Sequence, residues 1–407
     1  MVRIFAVLFL FSIVAVGACT LLLPDRFTIN APLGQIFLGR GIDPPDEDTI
    51  ERRMKPPPGF EVSLWAEGAR GARVLRFTPA GDLLISAPRQ NAILLAERDG
   101  DGDGRSDGVR TLVSDLQNPH GVELDDGWLY IGETGALSRI AFDPGQADSA
   151  EGPSGAAVQG ELERVVTGIP AGGNHWTRTV RKGPDGWLYM NVGSSCNICW
   201  EEDTERRAVL LRFNPREEFV EETFATGLRN TVGFDWQPGT GQLYGVDNGR
   251  DLLGDNFPPC ELNQIERGGF YGFPVVNGHN TPDPDLGEGQ EALIATALPP
   301  AHAFGAHTAP LGFHFIDGKH APADYQNAAL VAQHGSWNRT EKAGYRVLSL
   351  HWQPDGSIEE RDFLVGFEVD EDVTGRPADV IEGPDGAFYI SDDYAGVIWR
   401  VNWTGET

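Results

Sequence analysis

Between Asp99 and Asp107 the chain reads DGDGDGRSD, which sets four carboxylates at positions 1, 3, 5 and 9 of a loop and Gly104 at position 6, where a sharp turn is needed. This is the first half of an EF-hand calcium loop, but the bidentate glutamate of position 12 is missing, because Arg110 stands there. Carboxylates crowded this way repel one another unless a cation joins them. Asp99, Asp101, Asp103 and Asp107 are therefore expected to hold a structural Ca²⁺ at the rim of the fold, away from any catalytic centre. An empty, solvated hairpin is the alternative. A second spacing, Cys196-x-x-Cys199, is followed by Trp200, so the c-type haem pattern, which needs His next, fails. A local disulfide is expected there, with pairing of either cysteine to Cys260 as the alternative; three thiols in the globule argue against zinc.

Other polar segments exceed what core packing requires: GGNHWTRT around His175, GLRNTVGFDW with Arg229 and Asn230, VDNGRDLLGDNFPPCELNQI from Val246, AHTAPLGF around His307, and GRPADVIEGPDG around Arg376. Singly, each has a bland explanation, since a lone histidine is more often structural and arginines often bridge blades.

The elements that must position them follow from a repeat. A turn followed by a short apolar strand recurs as PAGDLLIS, DDGWLYIG, PDGWLYMN, GTGQLYGV, QNAALVAQ and PDGAFYIS. Taking Leu84, Tyr130, Tyr189, Tyr244, Val331 and Tyr389 as equivalent, the intervals are 46, 59, 55, 87 and 58 residues. A period of about 40 to 60 residues with several strands per unit is the signature of a propeller blade. The fold is expected to be all-β, a six-bladed β-propeller closed by pairing FEVSLWA near Phe60 with VIWRVNW. The long interval is expected to place a loop over the central face.

Sixty acidic against 32 basic side chains, a net charge of −28, repel phosphate backbones, so nucleic acid is excluded as a partner. The start, MVRIFAVLFLFSIVAVGAC, has a basic residue, an apolar run and small residues before Cys19. It reads as an export signal, with Cys19 a candidate lipidation site in a bacterial lipobox, or as an uncleaved anchor. The expected organisation is therefore a signal or anchor over residues 1–23, a Pro- and Gly-rich tether over 24–58, and the propeller over 59–407. The product is expected to be periplasmic or membrane-anchored, touching the membrane only through this segment.

Four ordered segments, GNHWTRTVRKGPDGWLYMNVG, TGLRNTVGFDWQPGTGQLYGVDNG, ELNQIERGGFYGFPVVNG and RPADVIEGPDGAFYISD, resemble the pyrroloquinoline-quinone (PQQ)-dependent soluble sugar dehydrogenases, a six-bladed group with glucose-type and sorbosone-type members. The likeness runs from about Pro57 to the C-terminus and implies PQQ and Ca²⁺ as cofactors. By this resemblance His175 is the general base that takes the sugar's hydroxyl proton while the adjacent carbon gives hydride to the quinone's C5. Arg229 would stabilise the charge that accumulates on the quinone oxygen. Asn230 would bind the quinone's periphery, the Asn248 side chain and the carbonyls of Gly249 and Arg250 would ligate the catalytic Ca²⁺ that bridges to the quinone, and Arg376 would hold a quinone carboxylate. The chain departs from the family at Ser194, where glucose enzymes have an aspartate, and at Ala378, where a second arginine is absent. His307 replaces a small hydroxyl residue, and the quinone-binding lysine has no match near HGSWNR, where Arg339 or Lys342 is the substitute.

The resemblance implies an exported quinoprotein that oxidises an aldose or sugar aldehyde to a lactone or acid and passes electrons to an acceptor such as a cytochrome or quinone. Two other classes stay open: a quinone-free, calcium-stabilised propeller used for binding, and a calcium-dependent lactonase.

Overall fold

The computed structural model describes residues 25–32, 41–145, 155–317 and 320–405. The expected signal or anchor, with Cys19, lies outside the described residues. Among those described, no helix is long and apolar enough to cross a membrane.

The six turn-strand repeats become the second strands of six four-stranded antiparallel sheets: Leu83–Ala87, Trp128–Glu133, Leu188–Val192, Leu243–Asp247, Ala328–Gln333 and Phe388–Asp392. All but Trp128 among these residues are buried. Each sheet packs face to face with a neighbour on both sides, so a middle strand has no wet face and reads as an apolar run. The sixth blade takes its outer strand from the other end of the chain. Phe60–Ala66 pairs antiparallel with Val397–Trp403, Phe60 opposite Trp403 and Leu64 opposite Trp399. That pairing is the closure expected from the sequence, and Phe60, Phe363 and Phe388 pack edge-on beneath it.

In an up-and-down meander, the loops entering each innermost strand and those joining second to third strands share one face. His175, Asn230, Gly249 and Trp337 all lie on such loops. The innermost strands crowd the axis closely: a Cβ on Gly121 would meet Arg178 O at 2.4 Å, and one on Gly233 would meet Leu311 O at 2.3 Å. Further down, these strands bring charges of both signs together. Arg76 pairs with Glu123, while Asp235 lies 3.2 Å from both Arg181 and His314. The void left along the axis is about 10 Å³, room for about one water. A cavity on the loop face is therefore a closed cup rather than a channel.

The insertion responsible for the 87-residue interval runs from 266 to 301, between the third and outer strands of blade 4. It does not cover the central face. It climbs the outer flank beside blade 3, bridging Phe270 to Thr226 and burying its own cluster of Val275, Val276 and Ala297. That apolar cluster needs a surface to cover it, and the flank supplies one.

The stretch read as a tether is, in its described parts, docked on the propeller. Asn30 N–H donates to Trp337 O at 2.8 Å, and Asn338 Nδ2 donates to Thr28 O at 2.7 Å. Helix α1 (Glu47–Arg53) is capped by Asp46, which accepts from Thr49 N at 2.9 Å. Arg53 then pairs with Asp372 at 2.6 Å.

Candidate active site

On the loop face a cavity of about 340 Å³ is walled by His175, Arg229, Asn230, Asn248, Gly249 and His307, together with Arg73, Trp176, Asp251, Cys260, His334 and Trp337. This is within the range of ~300–1,000 Å³ of small-molecule pockets.

His175 sits on the loop entering blade 3. Its Nδ1 lies 2.9 Å from both Ser194 O and Ser194 Oγ, and that hydroxyl donates to Cys196 O at 2.8 Å. A carbonyl only accepts, so Nδ1 carries the proton and Nε2 keeps its lone pair. Burial, reinforced by the Arg229 charge, lowers the imidazole pKa to about 3. The ring is therefore neutral at ordinary pH, with its lone pair on Nε2. Gly193 allows this approach, since a Cβ there would meet His175 Cβ at 2.7 Å and Asn230 Oδ1 at 2.9 Å.

Arg229 is buried on the loop entering blade 4, and burial lowers its pKa while Asp251 and Asp247 partly offset that. Its Nε donates to Asn197 O at 3.0 Å and Nη2 to Asn197 Oδ1 at 2.8 Å, while Nη1 donates to Asn248 O at 2.8 Å and Gly249 O at 3.1 Å. Asn230 is held by its N–H, which donates to Asp247 Oδ1 at 2.9 Å. Asn248 Nδ2 donates to Asn230 O and Pro310 O, both at 3.2 Å. His307 donates from Nε2 to Gly254 O at 3.0 Å. Asn230 Oδ1 and His307 Nδ1 are buried with no hydrogen-bond partner, a costly state that a ligand donor would relieve.

The Arg250 side chain, of which only the carbonyl was expected in the site, turns to pair with Asp283 and Asp285, each at 2.8 Å. Three expected side chains point elsewhere. Arg376 spends Nε on His334 O at 3.0 Å and Nη2 on Gly335 O at 3.1 Å, behind the wall rather than in it. Arg339 donates to Glu341 O at 3.1 Å and to Ala306 O at 3.2 Å, and Lys342 pairs with Glu371 at 2.9 Å. What reaches the cavity instead is Arg73, paired with Asp393 at 2.7 Å. Asp393 also accepts from His334 Nε2 at 2.9 Å. Neither Arg73 nor Trp337 carried a signal in the sequence; Trp176 had only its adjacency to His175.

The wall offers a polar ligand both donors and acceptors: the Arg229 and Arg73 guanidiniums line it, beside Asp251 and Asp393, and the buried Asn230 Oδ1 and His307 Nδ1 have no hydrogen-bond partner. For Ca²⁺ the carbonyls at hand are those of Asn248 and Gly249, both of which accept from Arg229 Nη1, and Gly249 has no space for a side chain, its Cβ position lying 2.6 Å from Pro259 O. Gly249 O already accepts one Arg229 N–H, which leaves its second lone pair. Asp251 is the one carboxylate among the wall residues, so a cation here needs the cofactor's own anionic groups for company.

The aspartate loop joins the third and outer strands of blade 1, on the face opposite the cavity. Asp99, Asp101 and Asp107 each bring an oxygen within 4.8 Å of the others; Asp103 stands outside that group. Asp99 accepts from Gly102 N at 2.7 Å and Gly104 N at 2.9 Å, and Asp103 accepts from Arg105 N at 2.8 Å. Cys196 and Cys199 form a disulfide, and Cys260 is a buried free thiol.

Family models match along most of the globule: the TrAA12-like model over residues 54–265 and the Glucose / Sorbosone dehydrogenase model over residues 211–400. An uncharacterized protein of Borreliella burgdorferi is 29% identical over 368 residues, covering 87% of this chain and 92% of its own. The pyrroloquinoline quinone-dependent pyranose dehydrogenase of Coprinopsis cinerea is 24% identical over 413 residues, covering 84% of this chain but 54% of its own length. This chain thus spans about half of that relative. The solved holo form of the PQQ domain of the Coprinopsis cinerea pyranose dehydrogenase superposes with a TM-score of 0.72 at 21% identity, covering 86% of this chain and 97% of that domain. At that identity the likeness shows the shared fold.

Proposed function

The chain belongs to the glucose/sorbosone dehydrogenase and TrAA12-like family of sugar dehydrogenase propellers, and from that premise we propose that it is a quinoprotein that oxidises an aldose or sugar aldehyde to a lactone or acid. The observation that carries this reading is the neutral His175 with a free Nε2, set in one cavity with the buried Arg229 guanidinium.

When bound, PQQ supplies the hydride acceptor and Ca²⁺ a Lewis acid for its carbonyl. Arg229, Asn230, Asn248 and Arg73 would hold the quinone, and the carbonyls of Gly249 and Arg250 the metal. His175 Nε2 accepts the proton of the reacting sugar hydroxyl, while Ser194 keeps the ring in the required tautomer. Arg229 supplies fixed positive charge where negative charge develops, and its four bonds to protein acceptors spare it reorganisation. Trp176 and Trp337 add aromatic surface to the cup's wall.

The reading extends to export through the N-terminal segment and to a separate electron acceptor, for which the charge of −28 favours a basic docking face. Metabolic labelling with a fatty acid, lost in Cys19→Ser, tests lipidation.

The test of the function is turnover of an artificial acceptor by full-length protein reconstituted with PQQ and Ca²⁺, across aldoses, alcohols and aldehydes. Reduction confined to sugars is expected, and none with any substrate would sink the proposal. One observation favours a quinone-free binding propeller instead: Arg376 and Arg339 both donate to backbone carbonyls. Sugar binding that persists without PQQ or turnover would select that reading.

A further inference from the structure

The four-residue loop closed by Cys196 and Cys199 touches Arg229 directly and His175 through Ser194, and we propose that Asn197, braced by the disulfide around it, is the residue that positions Arg229. The proposal rests on the reading that His175 and Arg229 carry the chemistry, and it adds a residue to which neither the family motif nor the chain's composition points.

Asn197 grips one edge of the guanidinium with two oxygens, its main-chain O on Nε at 3.0 Å and its Oδ1 on Nη2 at 2.8 Å. This matches the planar fork of arginine and fixes the group in direction as well as place. The amide is itself held, because Oδ1 also accepts from Asp251 N at 2.8 Å and Nδ2 donates to Asp251 O at 3.1 Å. Those bonds orient the amide so that oxygen, not nitrogen, faces Arg229. One residue thereby ties the loop of blade 3 to the blade 4 loop that carries Asn248 and Gly249. The same loop reaches His175 from its other side, as Cys196 O accepts the Ser194 hydroxyl that stands at His175 Nδ1.

A disulfide closing four residues removes little chain entropy compared with one closing a long loop. Its effect here is local, since it keeps both carbonyls and the amide at fixed spacing. Opening it with a dithiol, which becomes a cyclic disulfide as Cys196 and Cys199 become thiols, should therefore release Arg229 while the propeller stays folded.

The experiment has two arms. In cofactor-free protein carrying ¹⁵N-arginine, the Arg229 Nη2–H resonance, which reports the bond to Asn197 Oδ1 and is assigned by its absence in Arg229→Lys, is expected to exchange slowly with water. It should exchange fast in Asn197→Ala, in Cys196→Ser/Cys199→Ser and after reduction. Asn197→Asp keeps an accepting oxygen and should restore slow exchange. In reconstituted protein, Asn197→Ala should lower kcat by about 100-fold, the scale of a misplaced reacting group. KM should change little and the melting temperature should be held. Slow Arg229 exchange that survives Asn197→Ala and reduction overturns the proposal, as does a kcat within about twofold of wild type. If wild-type protein oxidises no sugar, the functional reading falls, and the exchange arm still decides whether Asn197 positions Arg229.

Discussion

The loop from Asp99 to Asp107 and the loop from Cys196 to Cys199 invite opposite judgements from their composition. The first is crowded with carboxylates at ligand spacing; the second is CNIC, with no titrating group outside its cysteines. In the folded chain the carboxylates of the first accept mainly from backbone N–H groups of their own loop, on the face away from the cavity. The second reaches across two blades, to Arg229, Asp251 and, through Ser194, His175. The difference is that chemistry depends on what a loop holds elsewhere, not on what it contains. A residue with a single amide can matter to turnover more than four acids.

The largest expected effect tests the cavity directly. His175→Ala should lower kcat/KM by about 100- to 10,000-fold, the usual range for losing a general base, with the fold intact by circular dichroism. Asp99→Asn/Asp101→Asn should leave turnover within a few-fold of wild type. Equal losses in both variants would erase the contrast between the loops.

Next comes Arg229→Lys, which keeps the charge but loses the fork that Asn197, Asn248 and Gly249 engage. A loss of about 100-fold in kcat is expected, since lysine does not replace arginine at a multidentate site. A rate near wild type would mean that charge alone suffices.

The third concerns pH. With His175 at about 3, its neutral form persists through ordinary pH, so kcat/KM should show no acid limb from this group above about pH 4. In Ser194→Asp a carboxylate beside Nδ1 stabilises the imidazolium and raises the pKa. Activity at pH 5 should then fall relative to pH 8, and an unchanged profile would contradict the assigned contact. Stability follows the same sign. The folded pKa values of His175 and His334, both about 3, lie below the ordinary 6.5. Their contribution is present above pH 6.5 and is lost as pH falls from 6.5 towards 3, where the unfolded chain binds more protons.

The smallest effect belongs to the aspartate loop. If it takes Ca²⁺, chelation should lower the melting temperature by about 1–2 °C for each kcal/mol of stabilisation lost, the scale for a chain this size. Asp99→Asn should abolish the difference. Identical melting with and without chelator in wild type would mean a solvated hairpin.

The propeller was legible because a middle strand buried on both faces must be a short apolar run, and six such runs recur with turns between them. His175, Arg229, Asn230, Asn248 and Gly249 lie in segments whose polar residues the blade core does not need, but it was the family resemblance that singled them out, and they line one cavity. What could not be read are contacts between distant parts of the chain. Arg73 meets Asp393, and Asn30 meets Trp337, across some three hundred residues. Arg376 and Arg339 resembled free cations until the carbonyls around them were visible. The 266–301 insertion was expected over the cavity because long loops often are; its own apolar cluster carries it to the flank instead.

The measurement that bears most directly on the account is a titration of full-length protein with PQQ, with and without Ca²⁺, following the quinone absorbance before and after adding an aldose. The account predicts a Ca²⁺-dependent spectral change on binding and bleaching of the quinone band on adding sugar, the bleaching lost in His175→Ala. A quinone spectrum unmoved by the protein at any Ca²⁺ concentration would contradict it.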